Sequence, residues 1–195
     1  TRTTSSAASD VYKRQYYGLA CDPFNFESLK KLFELKEREV TKPLPLLISS
    51  KEDLLKFGVD YSKFEKLLNT YWPGPLTVVL KTNHNFFSGM IKDDGYVGFR
   101  VPNLDFVKDL IKNTGIPITG TSANMSGQPE TKDINVLEDS LNLNIVKMII
   151  NISCGNEQSS STVIKLSNNN VEMLREGPIK SNQIKEILGS NYEYK

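Results

Sequence analysis

From Tyr17 onward the apolar residues switch repeatedly between a period of about 3.6 and a period of two, and this alternation restricts the chain to an α/β domain. Leu29, Leu32, Phe33 and Lys36 recur at helical spacing behind Asn25, a good N-cap, so a first helix is expected to run to about Arg38. The run PLLIS at residues 45–49 reads as a buried strand, and Ser50-Lys51-Glu52-Asp53 reads as a capping box opening a short helix. Tyr61, Phe64, Leu67, Leu68 and Tyr71 form the apolar face of a further helix. It stops at Trp72-Pro73-Gly74-Pro75, a rigid turn anchored by a buried aromatic. LTVVLK and YVGFRV are strands, and the helix carrying Phe106, Val107, Leu110 and Ile111 ends at Gly115. IPITG, VKMIIN, TVIKL and VEMLR are four more strand candidates, the last two joined through residues 167–170 as a hairpin. Ser181 is expected to cap a final helix through Leu188, closed by Gly189. Residues 127–134 and 153–161 follow neither period and are polar loops.

At 195 residues the chain suits one domain. Residues 1–15 lack apolar periodicity and read as a non-native leader or disordered tail, leaving 16–195 as the domain. Lys plus Arg number 24 and Asp plus Glu 23, so a net charge of +1 gives no global pull toward nucleic acid or membrane, and any anion site must be local. Cys21 and Cys154 stand far apart and there is one histidine, His84, which argues against a disulfide scaffold or a structural zinc site and fits a reducing compartment. No run approaches the ~18 apolar residues of a membrane span. A cytoplasmic address without membrane attachment is expected; a mitochondrial one stays open, because residues 1–15 also read as a Ser-rich transit segment.

No GxxxxGK[ST], GxGxxG, HExxH or GxSxG motif occurs. What stands out are cations and hydroxyls at the ends of predicted elements. TGTSANMSGQP, residues 119–129, follows a strand and concentrates small donors, which suits either an anion nest or an ordinary turn. Arg100 interrupts the apolar run YVGFRVP, so it must reach solvent, a cavity or an anion. Lys36 and Arg38 at a helix end complement the helix dipole even without a ligand. Lys42, the hydroxyls before the strand in SSSTVIKL, and Arg175 complete the set.

In order along the chain, YGLACD, the helix ending KER followed by KPL, YWPGPLTVVL, VGFRVPN, PITGTSANMSGQP, SSTVIKL and MLREGPI resemble the YrdC-like family of threonylcarbamoyl-AMP synthases. The resemblance implies a twisted mixed α/β sheet with flanking helices around a basic cavity. It also implies a reaction in which L-threonine, bicarbonate and ATP give threonylcarbamoyl-AMP and pyrophosphate for tRNA modification, with Mg²⁺ accompanying ATP. Lys36 and Arg38 match the pair that faces the triphosphate and carries catalysis. Ser122, Asn124 and Arg175 match ATP contacts, with Lys42 and Thr131 near further ones. Arg100 matches the arginine that binds the threonine carboxylate, and Ser161 looks like a threonine contact. Implied partners are the downstream threonylcarbamoyl-transferase complex and tRNA; a double-stranded RNA-binding module without catalysis is the alternative reading.

The chain departs from the family pattern in four ways. Gln15 stands where a threonine-binding Thr is expected, and the strand and helix that normally precede it are missing. Weak threonine binding and an exposed sheet edge are the expected consequences. Glu39 replaces the common proline after the Lys-x-Arg pair. The C-terminal domain of longer relatives does not follow the last helix.

Overall fold

The computed structural model describes residues 16–39, 43–84, 86, 95–131, 133–150, 160–190 and 192–194. Its elements are β1 (Gly18–Leu19), α1 (Phe26–Leu35), β2 (Leu46–Leu47), 3-10 helices at Lys51–Phe57 and Ser62–Phe64, and α2 (Glu65–Tyr71). There follow β3 (Leu76–Lys81), β4 (Tyr96–Arg100), α3 (Asp105–Thr114), β5 (Ile118–Thr119), β6 (Thr121–Ser122), α4 (Ile134–Ser140) and a 3-10 turn at Leu143–Ile145. The chain finishes with β7 (Thr162–Ser167), β8 (Asn170–Arg175), α5 (Ser181–Leu188) and β9 (Glu193–Tyr194).

Seven strands form one mixed sheet in the order β5-β2-β4-β3-β7-β8-β9. The pairs β2/β4, β3/β7 and β8/β9 are parallel and the rest antiparallel. The four central strands are the apolar runs of the sequence, because a strand with neighbours on both sides has a face available to bury. Leu46, Leu76, Val78, Val97, Phe99 and Ile164 are fully buried together with Leu67 and Leu68 of α2. Each such side chain contributes about 1.5–3 kcal/mol relative to exposure. Leu29, Leu32 and Phe33 bring α1 onto the same core. Trp72 is buried in the turn before β3, its Nε1 donating to the Leu76 carbonyl at 2.7 Å.

Several expectations need correction. Residues 146–150 form no strand, and Met148, Ile149 and Ile150 lie exposed, because the run pairs with none of the sheet's strands. Helix α1 stops at Leu35, with Lys36 as its C-cap and Glu37 at a positive φ of 47°, so Arg38 lies beyond the helix. The cap of α5 is Lys180, whose N–H donates to the Gln183 side chain at 2.8 Å; Ser181 is the first helical residue. Helix α4 lies in a region that gives little sequence signal, started by Asp133, which accepts from Asn135 N–H. The capping box at Ser50 and Asp53 is present, but it opens a 3-10 helix. Asn25 caps α1 as expected, accepting from Ser28 N–H at 3.0 Å.

Candidate functional site

Lys36 follows Leu29, Leu32 and Phe33 at helical spacing, so the geometry of α1 carries it onto the core-facing side. It is only 2% exposed. A buried ammonium must be satisfied, and an ammonium has three donors. Here they meet the Ser122 carbonyl, the Asn124 carbonyl at 2.7 Å and Asn124 Oδ1 at 3.3 Å. The loop answers in the other direction, Ser126 N–H donating to the Lys36 carbonyl at 2.9 Å. Burial, reinforced by Arg38 and opposed by Glu130, pushes the Lys36 pKa down to about 8.

The loop is fixed from its other side by a pairing across the chain. β1 pairs with β6 antiparallel, Gly18 opposite Ser122 and Leu19 opposite Thr121. Ala123 N–H donates to the Tyr17 carbonyl at 2.9 Å, and Tyr17 N–H donates to the Thr131 carbonyl at 3.2 Å. Within the loop, Ser122 Oγ donates to Asn124 Oδ1 at 2.5 Å and Asn124 Nδ2 donates to the Gln128 carbonyl at 2.5 Å. Because C=O and N–H of a trans peptide point in opposite directions, drawing the Asn124 carbonyl onto Lys36 turns the Met125 N–H outward. The residues of TGTSANMSGQP thus belong to a braced loop, not to a passive turn.

A second cluster forms where β3, β7 and β8 meet. Arg175, at the end of β8, donates through Nε to the Ser161 carbonyl at 3.0 Å and through Nη2 to Ser161 Oγ at 3.2 Å. Ser161 is buried, and its hydroxyl also bonds Thr77 Oγ1 at 2.8 Å. Gly177 packs so closely that a Cβ there would meet the Ser160 carbonyl oxygen at 2.6 Å and Thr162 N at 2.7 Å. Glycine is therefore required for this turn to hold Ser161 in place. Partial desolvation lowers the Arg175 pKa; Glu130 opposes this and Arg100 adds to it. Arg100 ends β4 on the face opposite buried Val97 and Phe99, half-buried, its Nε donating to the Gly74 carbonyl at 2.9 Å.

Hydrogen bonds thus join Lys36 to Ser122 and Asn124 in one cluster and Arg175 to Ser161 in the other, with the charges of Arg38 and Arg100 felt by Lys36 and Arg175 respectively. Arg38 is half-buried, with Nη2 donating to the Pro43 carbonyl at 3.2 Å; desolvation lowers its pKa. Thr131 is used differently: its Oγ1 accepts from Asp133 N–H at 3.1 Å in the turn before α4. Lys42 and Gln15 lie outside the described residues. Two participants had no sequence signal. Thr77 supports Ser161 from within a strand, and Glu130, in a polar loop, accepts from Ser160 Oγ at 3.0 Å. Such an array of guanidinium, ammonium and hydroxyl groups suits binding and positioning of a polyanion.

The family described as telomere recombination, Sua5/YciO/YrdC, matches residues 14–177. The chain belongs to this family. It is 32% identical over 148 residues to threonylcarbamoyl-AMP synthase of Vibrio campbellii, covering 74% of this chain and 80% of that one. It is also 32% identical over 181 residues to threonylcarbamoyl-AMP synthase of Bacillus subtilis, covering 89% of this chain and 50% of the relative. The crystal structure of P. abyssi Sua5 complexed with L-threonine superposes with a TM-score of 0.81 at 27% identity over 93% of this chain. The chain spans 53% of that protein's length. E. coli YciO shares the fold, with a TM-score of 0.69 at 21% identity over 87% of this chain and 82% of that one. The mixed sheet with flanking helices expected from the sequence is the architecture of these neighbours. Among the described residues no helix is long and apolar enough to cross a membrane.

Proposed function

We propose that the chain is a threonylcarbamoyl-AMP synthase, joining L-threonine, bicarbonate and ATP into threonylcarbamoyl-AMP with release of pyrophosphate. The observation that carries this reading is the connection between the two halves of the site. The loop braced by Lys36 supplies Ser122 and Asn124 on one side, while Arg175, bonded to Ser161, lies on the other, and Glu130 of the same loop run bonds Ser160 beside Ser161. A reaction in which a carbamate oxygen attacks the α-phosphorus and pyrophosphate leaves needs alignment and neutralisation of negative charge. Arg38 and Arg175 take the triphosphate, and Ser122 and Asn124 position the nucleotide. Lys36 contributes its charge from beneath the loop, since its three N–H donors already have acceptors. Arg100 takes the threonine carboxylate, for which a guanidinium offers two parallel donors, and Ser161 contacts the same substrate.

Among the described residues no three His, Cys, Asp or Glu side chains stand together as a metal site. A Mg²⁺ ion arriving with ATP would be held by phosphate oxygens and water, and would neutralise part of the triphosphate charge. The threonylcarbamoyl group is destined for tRNA, transferred by a separate enzyme. The test is pyrophosphate release measured with each of threonine, bicarbonate and ATP omitted in turn. The reading requires joint dependence on all three; release that persists without threonine or bicarbonate would refute it.

A further inference from the structure

An α-amino acid brings two opposite charges into a site. Arg100 accounts for the carboxylate, but a site that gathers Lys36, Arg38, Arg100 and Arg175 repels an ammonium group. The substrate nitrogen therefore needs an acceptor, and the loop after Asn124 supplies one. Glu130 is half-buried, and its Oε1 accepts from Ser160 Oγ at 3.0 Å. Its Oε2 has no hydrogen bond to a described residue. Ser160 directly precedes Ser161, whose hydroxyl is fixed by Arg175 and Thr77. The bond to Ser160 places the Glu130 carboxylate next to Ser161 and its Arg175 partner, and its charge opposes the lowering of the Lys36 and Arg175 pKa values.

We propose that Glu130 binds the amino nitrogen of the amino-acid substrate through Oε2, while Ser160 holds the carboxylate by Oε1. This deepens the synthase reading and rests on it for the choice of amino acid. The same contact serves before and after carboxylation, because an ammonium, an amine and a carbamate nitrogen all keep at least one N–H to donate. Selection for an α-amino acid over a plain hydroxy acid follows from the same carboxylate. A Glu130 that only ties the loop to Ser160, or only offsets the ATP-side cations, gives no such selection.

The test compares L-threonine with 3-hydroxybutyrate of matching configuration, the same molecule without its amino group. Binding is measured by calorimetry with α,β-methylene-ATP present to prevent turnover, in wild type, Glu130→Gln and Ser160→Ala. Glu130→Gln retains an oxygen to accept from Ser160, so it removes the charge and keeps the loop contact. Wild type is expected to favour threonine, and Glu130→Gln to reduce that preference by roughly ten-fold or more, the scale of a hydrogen bond between charged groups. Ser160→Ala, which keeps the charge, is expected to retain most of the preference. An unchanged preference in a folded Glu130→Gln protein, checked by thermal unfolding, overturns the proposal, as does a change confined to nucleotide affinity. Loss of preference in a wild type that releases no pyrophosphate cannot be confused with failure of Glu130: joint-substrate turnover tests the reaction, and the threonine-to-hydroxybutyrate ratio tests the carboxylate.

Discussion

Binding ATP near pH 8 should draw protons from solution, and Lys36 is the reason. Without nucleotide its pKa lies at about 8, lowered first by burial and then by Arg38. At pH 8 the ammonium is therefore about half protonated, and at pH 9 only about one tenth protonated, by ordinary titration. A triphosphate close by favours the charged form and raises the pKa again. If the bound value exceeds 10, ATP takes up about half a proton at pH 8 and about 0.9 at pH 9, with little uptake at pH 7. The assay is calorimetry at each pH in two buffers of different ionisation enthalpy, whose difference gives protons per ATP. Lys36→Met, of similar volume but without charge, is expected to abolish the rise between pH 7 and pH 9. Uptake that stays flat across this range, or rises equally in Lys36→Met, would show that Lys36 is not the group responding to ATP. The linkage has a second consequence. The native pKa lies below the unfolded value, so between about pH 8 and the ordinary lysine range the unfolded chain holds a proton that the native chain has lost. Stability from this group therefore increases with pH across that window, and the wild-type minus Lys36→Met difference in unfolding free energy should rise with it.

Asn124→Ala removes bonds to Ser122 Oγ, Lys36 Nζ and the Gln128 carbonyl together, and should destabilise the protein by about 1–3 kcal/mol in urea unfolding while raising the ATP KM. Gly177→Ala puts a Cβ 2.6 Å from the Ser160 carbonyl oxygen, so the backbone around Ser161 must shift. We expect a threonine KM at least about ten-fold higher with a smaller change in ATP KM, since misplacement of a positioning group is costly. Arg100→Lys keeps the charge but loses the planar fork, and should cost roughly ten- to a hundred-fold in kcat/KM for threonine. Phe99→Ala empties a fully buried position and should cost about 3–5 kcal/mol, read as a lowered urea midpoint at unchanged slope.

The amphipathic spacing behind Asn25, the apolar strands of the core and the glycine stop at Gly115 were legible because each depends on residues near one another in the chain. The candidate site residues could be picked out for the same reason, as short motifs whose order matches one family. Tertiary structure decided what those residues do for one another. Lys36 at a helix end reads as a solvent-facing complement to the helix dipole, yet spacing and packing together bury it under a loop 86 residues away. VKMIIN has every local property of a strand, yet residues 146–150 pair with no strand and Met148, Ile149 and Ile150 lie exposed, because strand formation needs a partner that local sequence does not name. Glu130 carries no local signal at all; it stands out only through its bond to Ser160 and its charge beside Lys36 and Arg175. Sequence determined the periodic elements and the inventory of charges, since both are local. Only the fold decided which donor meets which acceptor, since burial and electrostatic pairing depend on distances in space that the order of residues does not contain.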